Sequence, residues 1–209
     1  MLAEQIAAAA GMAAGMYFGR RQLLRWGIWS RKNMAVMAAA SCIVFFAGGF
    51  LMSRYGYHFL KIIRYWALMY GLLLTALVDG AKRIIPNKAL LAMAGLRTVL
   101  LLGECACFPG ALTEIILSAG IGLFGGGLLF LLPGALVKKG IGMGDVKLIA
   151  VMGYFLGFQV LMSALILILT LTVFAGLFAL LLKKASLRSE MPFAPFAAAG
   201  TMVTILMGF

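Results

Sequence analysis

The sequence predicts an all-α integral membrane protein, a polytopic bundle of about eight transmembrane helices. Three observations carry that expectation. Of 209 residues, 64% are apolar and 11% charged, against roughly half and a quarter in a soluble globular chain. A chain this short has too little interior to hide that much apolar surface, so lipid must cover it. Apolar runs long enough to cross hydrocarbon also recur along the chain, separated by basic or turn-forming stretches.

Eight such runs are read, at 2–18, 34–52, 62–78, 89–103, 112–133, 146–160, 161–182 and 193–208. The first has Glu4 ahead of it and Arg20-Arg21 behind it, the reverse of a cleaved secretory signal, and is expected to be a retained anchor. Gly11, Gly15 and Gly19 place small residues on one face of that run for helix packing. Residues 53–61 mix aromatic and charged side chains as an interfacial segment does, which puts His58 at headgroup level. The run 89–103 is weakened by Arg97, while 112–133 carries a second close-packing pair, Gly122 and Gly126. The runs 146–160 and 161–182 merge, with only Gly157, Phe158 and Gln159 to mark a turn. Two regions follow: residues 1–61 with two spans and a short basic loop, and residues 62–209 with six.

Direction follows from the basic residues, because short loops rich in Lys and Arg stay in the cytoplasm. The net charge is +12. In the eight-span reading one set of loops holds Arg20, Arg21, Arg25, Arg31, Lys32, Lys82, Arg83, Lys88, Lys138, Lys139, Lys147, Lys183, Lys184 and Arg188, fourteen of the eighteen. The other face and its adjoining spans hold Arg54, Lys61, Arg64 and Arg97 with Glu4, Glu104 and Glu114. Both termini are then expected outside a plasma (inner) membrane. The basic charge reads as attraction to anionic lipid on the cytoplasmic side, with no nucleic-acid partner. Trp26 and Trp29 among the basic residues of loop 19–33 fit a segment lying on that surface.

One His and three Cys, Cys42, Cys105 and Cys107, with no CxxC pair, leave too few ligands for a zinc site, and no metal or cofactor is expected. A Cys105–Cys107 bridge would be strained by its one-residue spacer. Attention falls on two acids. Asp79 lies at the cytoplasmic end of the third span and Asp145 at the cytoplasmic start of the sixth, at one depth. Ionisable groups at the hydrocarbon edge are costly and by default point to function; the plain alternative is a wetted span end paired with Lys82, Arg83 or Lys147. The local sequence favours function. Asp145 sits in Gly140-Ile-Gly-Met-Gly-Asp-Val-Lys-Leu148, whose glycines permit close approach at a helix start. Asp79 precedes Gly80 and then Lys82-Arg83-Ile84-Ile85-Pro86-Asn87, where Pro86 turns the chain before it re-enters the bilayer. Two carboxylates in one site do not both ionise readily, so one holds a proton while the other takes one from water, the equipment for peptide hydrolysis.

Asp79 with Ile85-Pro86-Asn87, the stretch Gly142-Met-Gly-Asp-Val-Lys-Leu148, and the late Pro192-Phe-Ala-Pro-Phe196 together resemble the type IV prepilin peptidases, membrane aspartyl proteases that include the preflagellin peptidases. The resemblance covers roughly residues 62–208 and implies Asp79 and Asp145 as the catalytic pair, with Gly142, Gly144, Lys147, Pro86 and Asn87 supporting them. It further implies cleavage, at the cytoplasmic membrane face, of a short basic leader from a pilin-like precursor. Bifunctional members carry a large insert with two CxxC pairs after the first span. Here that loop is only about 19–33 and has no Cys, so peptidase activity without N-methylation is expected.

A basic face repels a basic leader, so the precursor's own apolar helix is expected to supply affinity by packing in the bilayer. Glu190 is the remaining acid assigned to that face, a candidate to meet a leader Lys or Arg against the plainer reading of a solvated loop residue. Lys147 either tunes Asp145 by charge or snorkels, and Pro192 and Pro195 shape the start of the last helix. The competing function is an ion-coupled transporter using Asp79 and Asp145 as proton or cation sites, which would require mid-bilayer acids and inverted repeats. A presenilin-like protease would show Tyr-Asp and Pro-Ala-Leu, whereas this chain has Val78-Asp79 and no Pro-Ala-Leu.

Overall fold

The computed structural model describes residues 54–136, 142–182 and 191–208, with scattered positions between 20 and 46. The run 2–18 and most of 34–52 lie outside the described residues, together with Gly11, Gly15, Gly19, Trp26, Trp29, Lys138, Lys139 and Glu190. The count of eight spans and the division at residue 61 therefore stay sequence expectations. The described part is all helical: α1 (Phe59–Lys82), α2 (Asn87–Cys107), a 3-10 turn (Pro109–Ala111), α3 (Leu112–Leu136), α4 (Met143–Leu156), α5 (Phe158–Leu181) and α6 (Ala194–Leu206). Four stretches, Phe59–Lys82, Asn87–Cys107, Pro109–Leu136 and Phe158–Leu181, are long and apolar enough to cross a membrane.

The other two helices refine the reading of six full spans. The 14 residues of α4 and the 13 of α6 rise only about 20 Å each, short of a hydrocarbon core about 30 Å thick. Hydropathy could not separate α4 from α5 because both are apolar; the division is conformational. Gly157 ends α4 at φ 79° with its N–H bonded to Gly153 O at 2.8 Å, and α5 begins at the next residue. The turn expected at Gly157 is therefore present, one that favours glycine.

Apolarity all round in α4 reflects burial in protein. Eight of its 14 residues are buried, among them Leu148, Ile149, Met152 and Phe155. It packs against α3 foremost, then α2, α5 and α1, while α6 fills the space between α1 and α5. By contrast α3 buries only Ala119, Gly122 and Gly126, and its Leu117, Phe124 and Leu128 point outward with Phe174 and Phe178 of α5, as lipid-facing side chains do.

Glycines bring α3 onto α4. A Cβ on Gly122 would collide with the carbonyl oxygen of Gly153, and a Cβ on Gly153 with that of Gly122. One turn on, a Cβ on Gly126 would lie 3.2 Å from Ile149 O and 2.6 Å from Leu161 Cδ2. The packing role expected of Gly122 and Gly126 is met here. Dispersion and close backbone approach hold such an interface, since lipid offers no hydrophobic drive for helices to associate.

The end of the bundle away from Asp79 holds a second device, and it explains Arg97. This side chain, read from sequence as weakening a span, is 1% exposed. Its Nη1 donates to Glu104 Oε2 at 2.9 Å and its Nε to Tyr154 O at 3.0 Å, tying α2 to α4. Arg64 of α1 donates from Nη1 to Glu104 Oε1 at 3.3 Å. The two α2 residues stand seven apart, two turns along one face. His58 serves here as a helix cap: Nδ1 accepts from Leu60 N–H at 3.4 Å, and its ring packs edge-on against Phe108. Cys42, Cys105 and Cys107 are free thiols.

Two outcomes follow. Gly153→Leu should prevent α3 and α4 from closing and lower the thermal midpoint of the detergent-solubilised chain, whereas Gly80→Ala, at a position with open space, should leave it nearly unchanged. Glu104→Gln should strand the buried Arg97 and the partly buried Arg64 and destabilise by about 3–5 kcal/mol, measured by denaturant unfolding against Arg54→Gln at the exposed surface.

Candidate active site

Asp79 lies one turn before the end of α1, and the helix stops soon after it because Arg83 adopts a left-handed conformation, φ 54°. In that geometry Arg83 N–H closes onto Asp79 O at 2.8 Å. The Asp79 side chain is only 5% exposed. A carboxylate so placed needs a donor, and it has one from the far end of the chain: Ala194 N–H donates to Asp79 Oδ2 at 2.9 Å.

This donor arises from helix geometry. Ala194 begins α6, where backbone N–H groups have no partner within the helix, and Pro195, in the first turn, has none to give. The start of α6 presents its N–H and the positive end of its dipole to the carboxylate. The prolines do shape the start of the last helix, as expected. Sequence reasoning missed that this shape delivers a hydrogen bond to Asp79, because a backbone donor leaves no mark in residue identity. The proline pair was the one available signal.

Asp145 stands in the first turn of α4, just ahead of the apolar run, and is partly buried. Gly142 caps this helix in an extended conformation, and a Cβ there would come within 3.1 Å of Asp145 Oδ2. A Cβ on Gly144 would sit 3.2 Å from Ile85 Cβ, so the small residue lets the α1–α2 turn close over the α4 start. Pro86 is the N-cap of α2, and Ile85 beside it is buried. Lys147 Nζ donates to Asn87 Oδ1 at 3.1 Å, a second tie between α2 and α4. The exposed Lys147 thus has a partner that neither sequence reading named.

The pKa of Asp145 is raised from 3.8 to about 6, first by burial and second by the charge of Asp79. The structure brings together Asp79, Pro86, Asn87, Gly142, Gly144, Asp145 and Lys147, and adds Ala194. Glu190 lies outside the described residues. The arrangement offers a pair of carboxylates, one with a fixed N–H donor and one with a raised proton affinity, at helix ends.

Residues 66–181 match the family model of the type IV leader peptidase family. Among curated relatives, the chain is 37% identical over 83 residues to a prepilin leader peptidase/N-methyltransferase of Bacillus subtilis (strain 168), a stretch covering 39% of this chain and 34% of that protein. It is 37% identical over 71 residues to a protein of the same description from Pseudomonas putida, covering 34% and 25% of the two. The match thus spans about a third of one relative and a quarter of the other. No solved structure matches the chain. The family match takes in more than half of the sequence and runs unbroken from the helix end that bears Asp79 to the one that bears Asp145 and beyond, so the chain belongs to the type IV leader peptidase family.

Proposed function

We propose that this protein is a membrane aspartyl endopeptidase that removes the short basic leader of a type IV pilin-like precursor at the cytoplasmic membrane face, without N-methylating the product. The observation that carries the reading is the placement of Asp79 near the end of α1 and Asp145 at the start of α4, on two helix ends drawn together where Ile85 packs over Gly144 and Lys147 bonds to Asn87. Helix-end placement also supports it over ion-coupled transport, which needs acids at mid-bilayer. In the working state Asp145 holds the proton and Asp79, facing the Ala194 N–H, is ionised.

A water between the carboxyl groups gives a proton to Asp79 as its oxygen attacks the scissile carbonyl carbon. Asp145 donates its proton to the developing oxyanion, yielding a neutral tetrahedral diol. Collapse breaks the C–N bond. One diol proton returns to Asp145 and the proton on Asp79 passes to the departing amine, so the pair ends with the single proton it began with.

Substrate is held by means other than surface charge, since the cytoplasmic loops are basic like the leader. The precursor's apolar helix packs laterally against the bundle and brings its junction to the carboxyl pair. Glu190, four residues ahead of Ala194, meets a leader Lys or Arg. Absence of methylation rests on loop 19–33, which is Cys-free and too short for a methyl-donor site.

Asp79→Asn and Asp145→Asn, each in the full chain and co-expressed with a pilin-like precursor, should lower cleavage by at least about 10²-fold, read as loss of the mature band on a gel. Normal processing by either variant would sink the paired-acid mechanism. The pH profile gives a second expectation. Raising the pH through about 6 removes the proton that Asp145 must donate, so kcat/KM for a leader peptide should fall on the alkaline side, with apparent values belonging to the pair. The sign for stability agrees. A raised carboxyl pKa favours the folded state at low pH, and that contribution is lost as pH climbs from 3.8 through about 6.

A further inference from the structure

A cavity of about 200 Å³ opens at the end of the bundle remote from the carboxyl pair, lined by Arg64, Arg97, Glu114, Ser118, Tyr154 and Gly157 among others. Arg64 is 15 residues before Asp79 on α1, which sets it about 22 Å away along the helix axis. This cavity is therefore separate from the carboxyl pair.

Its charge is unevenly arranged. At the back, Arg64 and Arg97 share the single carboxylate of Glu104, leaving one positive charge in excess within an apolar interior where unpaired charge is costly. Arg64 Nε is buried and has no hydrogen-bond partner. At the rim, Glu114 in the first turn of α3 is exposed and forms no ion pair among the described residues. The site thus offers a cation at depth and an anion outside it. Beside the rim Leu112, Ile116 and Leu117 of α3 are exposed, an apolar track leading from the cavity along the helix.

We propose that the cavity seats a phosphate–ammonium zwitterion, the headgroup of phosphatidylethanolamine, with phosphate oxygens on the Arg64 and Arg97 side and the ammonium on Glu114. A phosphate accepts from guanidinium donors in fork geometry. A primary ammonium supplies donors that a carboxylate takes up. The acyl chains then follow the leucine and isoleucine track of α3. A purely anionic headgroup meets the arginines but is repelled by Glu114, and a choline headgroup has no N–H to offer it.

The test uses the delipidated full chain in detergent, with lipid retention by native mass spectrometry and the thermal midpoint as readouts. Phosphatidylethanolamine should be retained several-fold over phosphatidylglycerol and phosphatidylcholine and should raise the midpoint. Glu114→Gln, an exposed change, should abolish the preference over phosphatidylglycerol while the protein stays folded. Arg64→Gln should lose retention of both. Soluble phosphoethanolamine that raises the midpoint as far as the lipid does would identify the free zwitterion as the occupant and remove the lipid from the proposal. Equal retention of all three lipids by the unaltered chain, or a preference that survives Glu114→Gln, would overturn it.

Discussion

The hydrogen bond from the Ala194 amide to the Asp79 carboxylate is the contact on which the site's geometry turns. A nearly enclosed carboxyl group is tolerable only with a directed partner. The partner comes from the start of the last described helix, so the acid can be in place only after α6 has settled between α1 and α5. The placement of α6 and the hydrogen bonding of Asp79 are thereby linked.

Polar groups are concentrated at the two ends of a bundle whose middle is apolar. At one end stand the two aspartates; at the other two arginines are drawn to one glutamate. Between them α4 carries Leu148, Ile149, Met152 and Phe155, all fully enclosed. The polar ends tie helices together laterally: α2 to α4 through Lys147 and Asn87 at one, and through Arg97 and Tyr154 at the other. With both ends of that pair fastened, the glycine contact between α3 and α4 sets the remaining degree of freedom, how closely the outer helix approaches.

Much of the candidate site's layout was legible in the sequence, because its parts are written as side-chain identities at fixed intervals. The Asp79-to-Pro86-Asn87 spacing and the glycines around Asp145 mark two helix ends, and both ends meet. What stayed hidden was of two kinds. Backbone events, such as the Ala194 donor and the left-handed turn at Arg83, have weak or no residue signatures. Burial by partners is the second kind. Arg97 looks like a defect in a lipid-facing run until Glu104, two turns along, and Tyr154 of another helix are placed around it. The lengths of α4 and α6 escaped for a related reason, since hydropathy reports apolarity and is blind to whether lipid or protein meets it.

The junction at Gly157 has a mechanical side. With no linker between α4 and α5, the shorter helix is a stiff strut hinged to a long apolar neighbour, and Asp145 rides near the end far from the hinge, where Lys147 ties it to Asn87 of α2. A strut of 14 residues is about 21 Å long, so each degree of swing about the pivot carries the carboxyl group roughly 0.4 Å. Displacements near 1 Å cost reactions of this kind about 10²-fold. Two or three degrees of tilt passed from α5 to α4, where α3 and the ties to α2 yield with it, therefore suffice to detune the proposed pair.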